Sequence, residues 1–135
     1  MKQLFTHDLS VRWGDMDAQQ HVNNSVFFRY VEDARVAWLM ALTEGWRGLD
    51  GQSSVVVHTA MTFLQPVHYP ARLRLTLHGG NVGRSSFETT VTIQQLDAHG
   101  QPGAPVAEGS AKIVWCDQAT GKSMPLPEIV RAHLG

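Results

Sequence analysis

Residues 25–42, SVFFRYVEDARVAWLMAL, decide the fold. The run carries apolar side chains on nearly every side of a helix: Val26, Phe27, Val31, Ala34, Trp38, Leu39 and Leu42. Its charges collect at Arg29, Glu32, Asp33 and Arg35. A helix this apolar has to be covered over most of its surface. Asn24 or Ser25 is the expected cap, since a short polar side chain accepts a hydrogen bond from an unpaired first-turn amide. Gly45 and Gly48 end the segment.

What surrounds the helix reads as strand. Before it, Phe5, Leu9, Val11 and Trp13 alternate with Thr6, Asp8, Ser10 and Arg12, so Leu4–Trp13 is a strand with one buried face. After it come four more: Val55–Leu64, the alternating Leu73, Leu75 and Leu77, the alternating Phe87, Thr89, Val91 and Ile93, and Val106–Trp115. Glycine-bearing turns at Gly79–Gly83 and His99–Gly103 join them as hairpins. Pro127–Leu134 reads as a short terminal helix. Strands segregated from one helix imply an α+β fold rather than a doubly wound sheet. The economical arrangement wraps a single antiparallel sheet round the helix, and it leaves edge strands that pairing across a dimer would protect.

Composition narrows the function. The chain has 135 residues, 43% apolar and 17% charged, with a formal net charge of −1. That describes one globular domain over residues 1–135, with no basic footprint for nucleic acid. A single cysteine, Cys116, forbids an internal disulfide and fits a reducing compartment. No apolar run is long enough for a signal peptide or a membrane span, so a cytoplasmic protein without a membrane partner is expected. Seven histidines are present, but none share the helical spacing of a zinc motif, and no metal is expected.

The chemistry concentrates between the first strand and the helix. Residues 13–24, WGDMDAQQHVNN, hold two carboxylates, a histidine and several side-chain amides just before a helix start. A helix N-terminus offers unpaired N–H groups and the positive end of a dipole, which can stabilise charge on a carbonyl oxygen during acyl transfer. A carboxylate beside it can activate water or attack the acyl carbon. Taken alone, the same residues would also serve as turn and capping groups. Glu32 and Arg35 stand three apart on the helix and are expected to pair.

The stretch WGDMDAQQHVNNSVFFRYVEDAR resembles the signature of the 4-hydroxybenzoyl-CoA thioesterase-like branch of hotdog proteins, from Asp15 to Arg35. TFLQPVHYPARLRL and VGRSSFE resemble later, less specific parts of that family. The resemblance implies a hotdog fold with a curved antiparallel sheet round one long helix, and an acyl-CoA thioesterase. It places the catalytic carboxylate at Asp17. The segment is also similar to the Asp-x-Asn-x-His-x-x-Asn pattern of plant acyl-carrier-protein thioesterases, which Asp17, His21 and Asn24 match. Gln19 stands where that pattern has Asn. The histidine that some bacterial relatives carry at the position of Asn24 is absent, which leaves His21 as the candidate imidazole.

What the resemblance implies can be set out by residue. Asp17, His21, Asn24 and Gln19 form the catalytic group, and amides near Asn23 to Ser25 polarise the thioester carbonyl. Glu32 or Asp33 is the substitute carboxylate. Arg84, Ser85 and Ser86 are candidates for the CoA arm, and Phe27, Phe28, Tyr30 and Met61 for the acyl pocket. Arg72 and Arg74 read as a solvated face. The substrate is an acyl-CoA or an acyl-carrier-protein thioester, no cofactor is required, and the assembly is a homodimer, with a homotetramer as the larger form. A hydratase on the same fold and a non-catalytic acyl-thioester binder are the alternatives.

Overall fold

The computed structural model describes residues 1–135. β1 (Lys2–Ser10) leads into a short 3-10 turn at Trp13–Asp15, then α1 (Asn24–Leu42), β2 (Gln52–Phe63), β3 (Arg72–Gly80), β4 (Ser86–Leu96), β5 (Pro102–Asp117) and α2 (Glu128–Leu134). The five strands form one antiparallel sheet in the order β1-β3-β4-β5-β2. The sheet curves round α1, which is the hotdog fold in its α+β form.

Burial explains the wrap. α1 sinks Phe27, Tyr30, Val31, Ala34, Trp38 and Leu39 into the core. Leu73, Leu75 and Leu77 of β3 meet them together with Phe87, Val91 and Ile93 of β4, all almost inaccessible to water. Ala34 has no exposed surface. A methyl at that point lets the helix lie close to the sheet. One turn on, the Trp38 indole stands edge-on to Phe87, with ring centroids 5.8 Å apart.

Three sequence expectations change. β1 ends at Ser10, not Trp13: Ser10 faces Arg72, the first residue of β3, and after one further bond, from the Val11 amide to the Ala71 carbonyl at 2.8 Å, the chain turns away. The 3-10 turn swings Trp13 outward, and it is 77% exposed instead of buried. The helix cap is Asn23 rather than Asn24 or Ser25, its Oδ1 accepting from the Ser25 amide at 2.9 Å. β2 has no single buried face: Val55, Val56, Val57 and Phe63 are all exposed. A register shift between Val56 and His58 interrupts its alternation, and its outer edge has no neighbour. Phe28, Val36 and Met40 on α1 are likewise uncovered. No helix is long and apolar enough to cross a membrane, a statement that does not extend to strands.

α2 closes the other end of the core. Trp38 Nε1 donates to His133 Nδ1 at 3.0 Å, and Arg131 donates to the carbonyls of Gly83 and Arg84 at 2.9 Å each. Gly79 lets β3 pass beneath: a Cβ there would lie 2.6 Å from Leu4 Cδ1 and 2.8 Å from Leu134 Cδ2. Burial, aided by the charge of Lys2, holds the His133 imidazole below its ordinary pKa. The unfolded chain therefore takes up this proton first as pH falls. The stabilisation is complete above about pH 6.5, the unperturbed histidine value, and fades as pH falls through the lower folded-state value. The urea midpoint should drop between about pH 7.5 and 5.5. His133→Gln, which keeps an acceptor but cannot titrate, should flatten that dependence, and equal slopes in the two proteins would contradict it.

Candidate active site

The loop between β1 and α1 is built by its own polar groups. Asp15 does three jobs. Its carbonyl accepts from the Asn23 amide at 3.0 Å, and its Oδ2 accepts from the Arg12 amide at 2.9 Å and from the Tyr30 hydroxyl at 2.5 Å. Burial, and then this carboxylate, push the Tyr30 pKa well up, so the phenol stays a donor. The loop is thus pinned to the second turn of α1. Its other side is tied to the segment before β3, where the Val22 amide donates to the carbonyl of the buried Val67 at 2.8 Å.

Asp17 sits on the turn this frame holds. Its amide donates to the His21 carbonyl at 3.0 Å, its carbonyl accepts from the Gln20 amide at 2.9 Å, and its Oδ1 accepts from the Gln19 amide at 2.8 Å. Gln20 closes the turn at φ +63°, in the left-handed region. One carboxylate oxygen therefore serves the turn, and Oδ2 makes no hydrogen bond within the protein. Gln19 contributes its backbone here, and its side chain is exposed.

The helix start is more selective than the sequence suggests. Of the amides at Asn23, Asn24 and Ser25, the first is spent on the Asp15 carbonyl and the third on Asn23 Oδ1. The Ser25 hydroxyl also donates to Asn23 Oδ1, at 2.9 Å. Only the Asn24 N–H remains free to meet a ligand, at the positive end of a 19-residue helix.

Two clefts flank the loop. The larger, about 550 Å³, is lined by Trp13, Gly14, Met16, Asp17, Gln20, His68 and Tyr69. The smaller, about 220 Å³, is lined by His21, Val22, Asn24, Phe27, Phe63, Leu64, Gln65 and Pro66. They meet where the His21 and His68 rings touch edge to face, centroids 4.8 Å apart. The polar cleft holds the carboxylate, and the apolar cleft holds the free-amide residue.

Other candidates fall elsewhere. Arg84, Ser85 and Ser86 lie on the β3–β4 hairpin, beside α2, whereas the Asp17 loop follows the opposite end of β1. Roughly 25 Å of strand separates them in one chain. Glu32 and Asp33 are exposed on α1 and line neither cleft. The expected Glu32–Arg35 ion pair does not form; the ion pairs are Arg47–Glu44 and Arg74–Asp8. Arg35 is partly buried and Glu32 exposed; burial lowers the Arg35 pKa, and Glu32 opposes that shift only through space, without a direct contact. Arg74 is committed to Asp8 through bonds of 2.8 and 3.0 Å. Of the expected acyl-pocket residues only Phe27 lines the apolar cleft; Met61 opens on a separate shallow one. Sequence reading missed His68, Tyr69 and Trp13 as cleft residues. The two prolines that bracket Val67-His68-Tyr69 were the available signal, marking a break that returns to the loop.

A family model described as the thioesterase-like superfamily matches residues 11–134, and the chain belongs to that superfamily. A structure of a proposed thioesterase from Pseudomonas aeruginosa is 36% identical, with a TM-score of 0.88 over 99% of this chain and 100% of that one. A 1,4-dihydroxy-2-naphthoyl-CoA thioesterase from Synechocystis is 20% identical, with a TM-score of 0.82 over 96% of this chain and 94% of that one. A Staphylococcus aureus protein solved in complex with CoA is 16% identical, with a TM-score of 0.83 over 99% of this chain and 83% of that one. At these lower identities the likeness is one of fold. A search of curated proteins gave no match.

Removing the Asp15 carboxylate should loosen the site without touching Asp17. Asp15→Ala leaves the Arg12 amide and the Tyr30 hydroxyl without their acceptor, and each lost charge-assisted bond costs about 1.5–3 kcal/mol where water does not replace it. The urea midpoint should fall clearly, and Tyr30→Phe should reproduce part of the loss. Unchanged stability in both variants would show that the loop is held by other means.

Proposed function

We propose that this protein hydrolyses an acyl thioester to the free acid and a thiol, with CoA as the thiol and Asp17 as the reacting carboxylate. One observation carries the reading. The loop leaves one carboxylate oxygen of Asp17, Oδ2, and the first-turn amide of Asn24 without internal partners, and these two residues line adjoining clefts, whereas Asp15 lines neither. The superfamily supports thioester chemistry, and the fold shared with a CoA-bound protein supports a CoA ester over other acyl donors.

The thioester carbonyl oxygen accepts from the Asn24 amide, and the helix dipole favours the negative charge that grows on that oxygen. The acyl group enters the apolar cleft between Phe27, Phe63 and Leu64. Asp17 then activates a water, whose oxygen bonds to the acyl carbon as its proton leaves for a base in the cleft. Alternatively it attacks that carbon itself, forming an anhydride that water opens. In both routes the C–S bond breaks, and the sulfur leaves with its electron pair to become the free thiol. Asn23 and Ser25 shape the helix start, and Gln19 shapes the turn under Asp17.

The working unit is a dimer joined along β2. That strand has a free edge and a row of exposed valines, the combination that folded proteins cover by pairing. Arg84, Ser85 and Ser86 reach the thiol's carrier arm only across such a boundary, from the partner's hairpin.

Thiol release from short, medium, long and aromatic acyl-CoAs tests the reading. Wild type should turn over one class, and Asp17→Asn should lose about 10²–10⁴-fold in kcat. A folded wild type that binds acyl-CoA without releasing thiol would make the protein a binder, and water addition without release would make it a hydratase. Val57→Lys should shift sedimentation from dimer towards monomer and lower activity with it; a dimer that survives the change would remove β2 as the joint.

A further inference from the structure

We infer that His68, outside the loop motif, is a second catalytic residue of this site and carries the proton that the hydrolytic water gives up. The inference rests on the thioesterase reading above and concerns the same cleft.

The geometry selects one histidine of two. His21, the imidazole within the motif, lines the other cleft, with Phe27, Phe63 and Pro66, and not the one that holds Asp17. His68 lines the cleft that holds Asp17. Its Nδ1 lies 3.0 Å from the Gln20 carbonyl oxygen. A carbonyl can only accept, so Nδ1 carries the hydrogen and the neutral ring presents its lone pair at Nε2. Nε2 makes no hydrogen bond within the protein. The carbonyl that fixes this tautomer belongs to Gln20, the left-handed residue that closes the turn bearing Asp17. One strained turn therefore sets both groups. The edge of the His21 ring, 4.8 Å away centroid to centroid, restrains the imidazole on its other side. A base held in register by a second group is the arrangement that proton-transfer catalysis requires.

The division of labour follows from basicity. Near neutral pH an imidazole is a stronger base than a carboxylate. A water in this cleft can give one hydrogen bond to Asp17 Oδ2 and one to His68 Nε2, which turns an oxygen lone pair towards the acyl carbon. As that oxygen bonds to carbon, its proton moves to Nε2. The C–S bond breaks, and the imidazolium returns the proton to the departing sulfur. Water is the only co-reactant, and the ring ends neutral. The other titratable groups facing His68 are Asp17, His21 and Tyr69.

His68→Asn tests this, because its side-chain amide can keep the donor to Gln20 while removing the proton acceptor. With the best acyl-CoA, kcat should fall about 10²-fold or more with KM little changed, and the acid limb of the kcat/KM profile should disappear. His68→Ala should regain activity when free imidazole is added, a readout that a purely structural role would not give. If wild type hydrolyses the ester, Asp17→Asn does not, and His68→Asn keeps both its rate and its pH profile, His68 is not catalytic while the thioesterase reading stands. A wild type that releases no thiol from any ester overturns both.

Discussion

The rest of the molecule depends on covering one helix. α1 buries six side chains across most of its circumference, and Ala34 and Trp38 leave no room for water between helix and sheet. Only a sheet that curves can reach that much of a cylinder, so the strands bend round the helix instead of lying flat against it. The wrap is incomplete on one side. There β2 ends the sheet, and Phe28, Val36 and Met40 stay exposed beside its valines. The same constraint that makes the core also leaves an uncovered apolar surface beside the free edge of β2.

The candidate site lies where the helix begins. A helix start buried at the edge of a core has amides to satisfy, and this loop satisfies all but one of those expected to face a ligand. Asp15 is the organiser: it takes the Arg12 amide, the Tyr30 hydroxyl and, through its backbone, the Asn23 amide. That leaves the neighbouring carboxylate, Asp17, to hold only its own turn. Two aspartates one residue apart thus differ in surroundings: Asp15 ties the loop to the helix, and Asp17 lines the cleft. The segment before β3 completes the arrangement through the Val22–Val67 bond and the Gln20–His68 contact, bringing an imidazole to the cleft that Asp17 lines.

Much of the fold was legible because burial writes periodicity. Leu73, Leu75 and Leu77, and Phe87, Val91 and Ile93, alternate in sequence and are buried in space. The helix read correctly because its apolar residues cover more than one face. Trp13 misled because hydrophobicity does not reveal where a neighbouring strand stops. β2 was legible as a strand from its β-branched run, but without an alternation, since a bulge and an open edge erase the difference between its faces. In the site, the family resemblance pointed to Asp17 and Asn24, which the structure places on adjoining clefts, but residue spacing carries no record of which amides are already bonded. His68 was illegible for a related reason: it approaches through a fold-back between β2 and β3, and no local pattern joins it to a loop nearly fifty residues earlier.

The most direct test is a crystal structure of the protein with a non-hydrolysable acyl-CoA analogue in which a methylene replaces the thioester sulfur. The carbonyl oxygen should lie within hydrogen-bond distance of the Asn24 amide, with the acyl carbon roughly 3–3.5 Å from Asp17 Oδ2 or from a water that Oδ2 holds. The acyl chain should run past Phe27 and Phe63. An analogue whose carbonyl sits away from the start of α1, with Asp17 facing only its own turn, would contradict the assignment of this loop as the reacting centre.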